Sequence, residues 1–435
     1  MTLEPLLRQL GAGSSIDLRP RQWSIYASET RRVSLGVKDR EIGNAHAPYS
    51  ITEGCGARYL FVWNDGRVSR GNFERRQLED DPAEALVAAR AAAYDDPDAA
   101  QVLGPATFPD VELHDAAAAE IAGGDARMLG ARLDWLRERI DAWGSATWSG
   151  SFGAAETTAR LITSAGLETG GCGTTFGWHV TLDGEIGDGH GARGPESTAR
   201  FEARMDRLIE TRKALAETAA PPAGGIHPLI LHPDVVERLV LGTLLHNLDG
   251  ATVEHGEGRF RREQFGGPEP VLRQDMTLRL DPLQPLRSGS YRFSVEGLPA
   301  DRCTFIESGR LVRPLLDLKY ARRLGMAPTP IPYDSDVLHL EGSTPRPLAE
   351  TCAVAGRSVL ILSVLGLHTQ DRGSGDFSLS APQALVVDAE GFAGSLRATF
   401  SGNLFELLQD DATRFVAFEG EHTPGLLVHC RLDPK

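Results

Sequence analysis

The chain has 435 residues, 41% apolar and 24% charged, a length that suits two or three domains of ordinary size and excludes a single small module. Forty-five basic against sixty acidic residues leave a net charge of −15, a field that repels phosphate backbones and argues against nucleic acid as a partner. Cys55, Cys172, Cys303, Cys352 and Cys430 are odd in number, scattered and without a CxxC pair, so they read as buried free thiols in a reducing compartment rather than as a zinc ribbon.

Residues 1–15 show neither a basic opening before a long apolar run nor a small-residue cleavage signal. The most apolar stretch, 359–367, is broken by Ser363 and Gly366 and is far shorter than the roughly 20 residues a membrane-spanning helix needs. The expectation is a cytoplasmic protein with no membrane partner. Gly11-Ala12-Gly13 is read as an N-terminal turn.

Residues 23–73 are patterned as strands, and Tyr59-Leu60-Phe61-Val62-Trp63 ends at Asn64-Asp65-Gly66, a strong hairpin signal. Asp81-Pro82 then opens a predicted helix over 83–94, with Leu86, Val87 and Ala91 at helical spacing. A second helix is predicted over 125–143, carrying Met128, Leu129, Leu133, Leu136 and Ile140 on one stripe. Gly54-Cys55-Gly56 and Gly171-Cys172-Gly173 are 117 residues apart, and each precedes an aromatic strand and then an Asp-Gly pair. A helix follows each copy, over 83–94 and 196–218, which suggests an internal duplication of a strand-and-helix unit.

Pro-Pro beside Gly-Gly in residues 220–225 disfavours both helix and strand and marks a linker. The expected organisation is α+β: an N-terminal strand-and-helix domain over 1–219, then a β-rich antiparallel C-terminal domain over 226–435. The latter opens with a helix over 234–246, followed mostly by short apolar strands between Gly, Pro and Asp turns.

No Gly-x-Ser-x-Gly elbow, Walker loop or strand-borne GxGxxG is present, which sets aside the common nucleophile and phosphate-binding classes. None of the twelve histidines is followed by glutamate, so no HExxH helix supplies two zinc ligands and a base. His246-Asn247-Leu248-Asp249-Gly250-Ala251 reads alone as a capped helix end. Glu254-His255-Gly256-Glu257 gives neighbouring ligand types with no reason to converge, and His429-Cys430 points to opposite faces of a strand. Phe260-Arg261-Arg262-Glu263 reads as a solvated basic loop.

Several C-terminal features then coincide in order. They are the linker; the helix ending at His246; Glu296-Gly297-Leu298-Pro299 ahead of Phe305-Ile306-Glu307-Ser308-Gly309; and Ala321-Arg322-Arg323-Leu324-Gly325-Met326. Gly366-Leu367-His368, Gly375-Asp376-Phe377-Ser378 and Ser401-Gly402-Asn403-Leu404-Phe405-Glu406-Leu407-Leu408 complete the series. Together they resemble the TldD/PmbA family of bacterial and archaeal peptidases, PmbA also being called TldE, over nearly the whole chain.

The resemblance implies that the helix should end in HExxGH and that a cysteine should follow the Gly-(Glu/Asp)-Phe segment. Here His246 keeps the first ligand and Gly250 the glycine, but Asn247 replaces the glutamate and Ala251 the second histidine, while the cysteine position falls at Ala381. A catalytic zinc needs about three protein ligands and a base, and one of the four groups remains. Residues five apart on a helix differ by about 140°, so the motif needs a backbone break near its glycine, which Gly250 would preserve.

The resemblance is therefore closer to the zinc-lacking PmbA/TldE side, implying no metal or cofactor in this chain, zinc in a TldD-type partner, and an unfolded peptide as substrate. His368, with Asp376, Phe377 and Ser378, is the expected peptide-binding set, through pairing with a strand edge. Two alternatives stand beside it. One is a stand-alone peptide-binding or scaffold protein forming homodimers; the other is a hydrolase whose site uses His246 with Asp249, or His255 with Glu257.

Overall fold

The computed structural model describes residues 3–13, 18–38, 41–42, 49–143 and 147–435. The architecture is α+β. Gln22–Lys38, Tyr49–Val62 and Val68–Glu74 form one three-stranded antiparallel meander, and Trp148–Thr163, Glu168–Leu182 and Ile186–Ala192 form another. They join antiparallel through their first strands into one sheet. Asp-Gly turns close corresponding hairpins: Gly66 at φ 87°, and Asp183 with Gly184 at φ 51° and 67°. Cys55 and Cys172 occupy the second strand of their respective meanders.

Side chains alternate along these strands, so residues two apart share a face. On the helix-bearing face Ile25, Ala27 and Phe61 pack with Ala85, Leu86 and Ala89 of the helix Pro82–Ala91. Farther along, Leu35, Phe152 and Trp178 pack with Leu133 and Leu136 of Arg127–Trp143 and with Phe201 and Met205 of Thr198–Ala216. Val87, expected on the apolar stripe, is exposed; Ala85 and Ala89 flank Leu86 in the buried contact instead. Gly11-Ala12-Gly13 ends a helical segment, Gln9–Gly13, instead of forming a free turn.

The C-terminal part is built on a closed ring. Gly225–Leu231 pairs parallel to Ser358–Leu365 and antiparallel to Gly425–Pro434, and Asp376–Asp388 and Gly391–Asn403 complete the circuit. The domain is predominantly antiparallel, as expected, and the long excursion between Leu231 and Ser358 permits one parallel pairing that a hairpin cannot make. A second parallel pair joins Arg346–Pro347 to Arg414–Ala417. A four-stranded antiparallel sheet, with Thr277–Leu280 and Cys303–Glu307 at its centre, stands beside the ring. The core collects Leu229, Ile361, Leu379 and Val428 from the strands with Val236, Val240, Leu244 and Leu248 from the helical arm that follows Leu231.

Ion pairs and hydrogen bonds knit the two parts together. Lys319 meets Asp96 at 2.7 Å and Arg323 meets Asp98 at 3.2 Å. Arg292 donates to the carbonyls of Pro109 and Gly170 at 3.0 and 3.3 Å. Gly297, at φ 91°, approaches so closely that a Cβ there would lie 3.1 Å from Leu161 and Leu167 of the N-terminal sheet. No helix among the described residues is long and apolar enough to cross a membrane. The cysteines are free, but only Cys303, Cys352 and Cys430 are buried; Cys172 is exposed and Cys55 half-buried, because both face a polar part of the sheet rather than its core.

Candidate functional site

The helical arm runs longer than the sequence suggests, through Pro233–Val235, a π-helical stretch Val236–Leu241 and Gly242–Leu248. It breaks at Asp249, whose ψ of 133° turns the chain, and restarts as Gly250–His255. The Asp249 carboxylate accepts from the amides of Ala251 and Thr252 at 3.0 and 3.2 Å, so it caps the new helix. The break therefore lies one residue before the glycine. Gly250 serves a different need: a Cβ there would lie 2.7 Å from Tyr320 Cβ and 2.8 Å from Leu316 Cδ2, and its amide donates to the Leu315 carbonyl at 2.9 Å.

His246 opens onto a cleft of about 320 Å³ lined by Glu257, His368, Gln370, Asp371 and Arg372, with Leu367 and Gly373 at its edges. The structure thus brings His246 and His368 to one cleft, the latter exposed on the short turn Leu367–Thr369. Asp371 accepts the amides of Gly373 and Ser374 at 2.9 and 3.2 Å. These bonds, Ser374's first, and the nearby His246 hold the Asp371 carboxyl below its ordinary range.

Asn247 is the hub behind this cleft. It is 0% exposed. Its amide nitrogen donates to the carbonyls of Thr243 at 2.9 Å and Arg372 at 2.6 Å, while its oxygen accepts the Arg259 amide at 2.6 Å. The loops before and after the cleft are thereby tied to the helix. They fit closely, since a Cβ on Gly258 would lie 2.7 Å from Asn247 Oδ1 and one on Gly373 would lie 2.6 Å from the Glu257 carbonyl.

The expected peptide-binding set divides. Asp376 and Ser378 are exposed, but Phe377 is buried and packs near Phe400, with ring centroids 5.5 Å apart, so its side chain belongs to the core. Asp376 is engaged as well: it accepts from Asn403 at 2.8 Å and from the Ser374 hydroxyl at 3.0 Å. Asn403 also caps Leu404–Gln409, and Gly375, at φ 82°, leaves room for Phe405. The two family-like segments around 375–378 and 401–408 are therefore one structural clamp. The strand they share is internal to the ring, paired to Leu365 at Ser380 and bridged to Asp371 at Asp376, which confines any free edge to residues 377–379.

The alternative ligand pairs do not form. Asp249 is spent on capping, and His255 lies 2.7 Å from Glu254 rather than beside Glu257. Ala251 is half-buried on the restarted helix, and Ala381 lies fully buried in the core, lining no part of the cleft. Among the described residues, three ligand atoms of His, Cys, Asp or Glu do not gather around His246. The donor set does not fit a catalytic zinc, which needs about three protein ligands and an open position. Phe260, assigned to a solvated loop, is instead fully buried against Phe405, and Arg262 donates to the Leu324 carbonyl at 2.8 Å. Sequence reasoning missed Arg259, Asp371 and Arg372; the run Asp371-Arg372-Gly373-Ser374-Gly375 carried a turn signal but nothing that tied it to the helix.

Three comparisons with known proteins bear on this arrangement. No curated protein matches the sequence. The family described as the PmbA/TldA metallopeptidase C-terminal domain matches residues 224–428. Among solved structures, TldE from Thermococcus kodakarensis is 18% identical with a TM-score of 0.78, over 95% of this chain and 97% of its own. A candidate modulator of DNA gyrase from Bacteroides thetaiotaomicron is 17% identical with a TM-score of 0.76, over 100% and 97%. Its counterpart from Thermotoga maritima is 17% identical with a TM-score of 0.75, over 94% and 96%. At these identities the likeness to the solved structures is one of fold, end to end, and kinship to the PmbA/TldD metallopeptidases is carried by the C-terminal domain, residues 224–428, which matches that family's model.

Proposed function

We propose that this chain is the TldE-type subunit of a TldD/TldE-type peptidase, a cytoplasmic protein that lacks the family's catalytic zinc and helps a zinc-bearing partner enclose and position unfolded peptides. The observation that carries the reading is the state of Asn247. At the position where the resemblance places the catalytic glutamate, both buried polar ends of a carboxamide are in use, the nitrogen toward two backbone carbonyls. An ionised glutamate only accepts hydrogen bonds, so the surroundings call for an amide at this position, where the family's base would stand. His246 and His368 remain at the cleft mouth as peptide-contacting groups that hold an extended chain by hydrogen bonds.

The test is reconstitution. The purified chain is expected to be inactive on an unfolded peptide, and its addition to a zinc-bearing TldD-type partner is expected to raise cleavage, with His368→Ala lowering that gain while leaving complex formation intact by size exclusion. Cleavage by the partner at the same rate with and without this chain would overturn the proposal, as would turnover by this chain alone that is lost in His246→Ala.

A further inference from the structure

The helix-bearing face of the N-terminal sheet is apolar at both ends, and between the two clusters runs a polar seam. Cys55 stands opposite Glu29, Glu29 opposite Thr158, and Thr158 opposite Cys172, across four neighbouring strands. Glu156, two residues from Thr158, shares its face and reaches Cys172 diagonally. The third member comes from outside the sheet. His114 lies just before the helix Ala116–Ala122, on a segment fastened on both sides: the Thr174 amide donates to the Leu113 carbonyl and the Asp115 amide to the Thr174 hydroxyl, each at 2.9 Å.

His114 Nε2 lies 2.9 Å from Glu156 Oε1, and the Cys172 thiol donates to the same oxygen at 3.5 Å. Among the described residues, this is the group in which three ligand atoms of His, Cys, Asp or Glu lie within 4.8 Å of one another. Bond lengths of about 2.0 Å to nitrogen or oxygen and about 2.3 Å to sulfur place tetrahedral ligands about 3.3 Å apart for an N, O pair and about 3.5 Å apart for an S, O pair. The observed spacings are close to both, and a small outward move of the imidazole closes the remaining difference.

The other meander supplies an internal control. There Arg75 donates from Nε to the Cys55 sulfur at 3.0 Å and from Nη2 to Glu29 at 2.9 Å, so a built-in cation bridges a cysteine and a carboxylate. The second copy has the cysteine and the carboxylate, with an imidazole where the first has a guanidinium. We infer that His114, Glu156 and Cys172 form a binding site for a zinc-type divalent cation, with three protein ligands and a fourth position open to water.

Imidazole, carboxylate and thiolate together suit zinc or cobalt better than magnesium or calcium, which prefer all-oxygen shells. The net charge of −15 favours cation approach. A thiol must shed its proton to ligate the cation, so binding releases a proton and tightens as pH rises. The site lies on the other domain from the cleft at His246 and has no part in the proposed peptidase role, so either idea can fail alone.

The test titrates the full-length chain, kept reduced with a phosphine, with Co²⁺ alone. Saturation at one equivalent with a sulfur-to-cobalt charge-transfer band is expected, with Zn²⁺ displacing it. Cys172→Ser should abolish the band, His114→Ala should weaken binding by roughly tenfold or more, and Cys55→Ser should change neither. Cys172 is exposed, so its serine variant is expected to fold, which circular dichroism checks. No sulfur-to-cobalt band, or a band that survives Cys172→Ser, would overturn the inference.

Discussion

The helix break at Asp249 and the polar seam of the N-terminal sheet both gather side chains of metal-binding type, and they employ them in opposite ways. At the break, Asp249 and Asn247 bond to backbone amides and carbonyls, and among the described residues no group of three ligand atoms gathers around His246. In the seam, the backbone is already satisfied by strand pairing, and the Glu156 carboxylate is met by the side chains of His114 and Cys172 rather than by main-chain groups. What separates the two is hydrogen-bond accounting. A side chain serves as a ligand only where the fold does not need it to complete a backbone bond.

The sharpest way to break this contrast is at Asn247. Replacing it with alanine leaves the part-buried Arg372 carbonyl and Arg259 amide without this partner, at up to about 1–3 kcal/mol for each group and thus at most about 2–6 kcal/mol in all. Asn247→Asp is the more instructive variant, because it keeps the shape and the acceptor toward Arg259 but turns the donor into a second acceptor facing two carbonyls. It should lower the denaturant midpoint by an amount comparable to alanine. An aspartate variant as stable as the native chain would mean that the amide is not required there, and the argument against a catalytic carboxylate at this position would go with it.

A smaller effect is expected at Gly250. Its backbone angle is ordinary for any residue, so the demand is for space alone: alanine must displace Tyr320 or Leu316, at about 1–3 kcal/mol. The loss should appear in denaturant unfolding. If instead Gly250→Ala were neutral while Asp249→Ala destabilised, the bend would depend on the cap alone.

Much of this was legible in the sequence, and the misses share a cause. The strands and the principal helices follow from periodicity and from Gly and Pro, which act locally. The place of the chain break near Gly250 followed from helical geometry, but its residue did not, because the capping bonds of Asp249 run to amides whose exposure depends on the break itself. Phe377 looked accessible because its neighbours Asp376 and Ser378 are polar; alternation along a strand placed it in the core. His114 lies far from Glu156 and Cys172 in sequence, and only the fastening of Leu113 and Asp115 to Thr174 brings it to the seam. Juxtaposition of that kind leaves no local spacing to read.

The smallest predicted effect concerns the seam itself and separates ligand chemistry from stability. Arg75 and Glu29 are each nearly half exposed, at 49% and 46%. An exposed pair of this kind contributes little, so Arg75→Ala should shift the unfolding midpoint only slightly, and less still in high salt, where the attraction is screened. Cys172→Ser should likewise leave stability within about 0.5 kcal/mol in metal-free buffer. The two variants should part company once Co²⁺ is added: the arginine variant keeps the stabilisation that binding confers, and the serine variant loses it, because a ligand stabilises only the state that holds it. If both variants gained equally from the cation, it would be bound elsewhere on the acidic surface, and the difference between the two copies of the meander would reduce to packing.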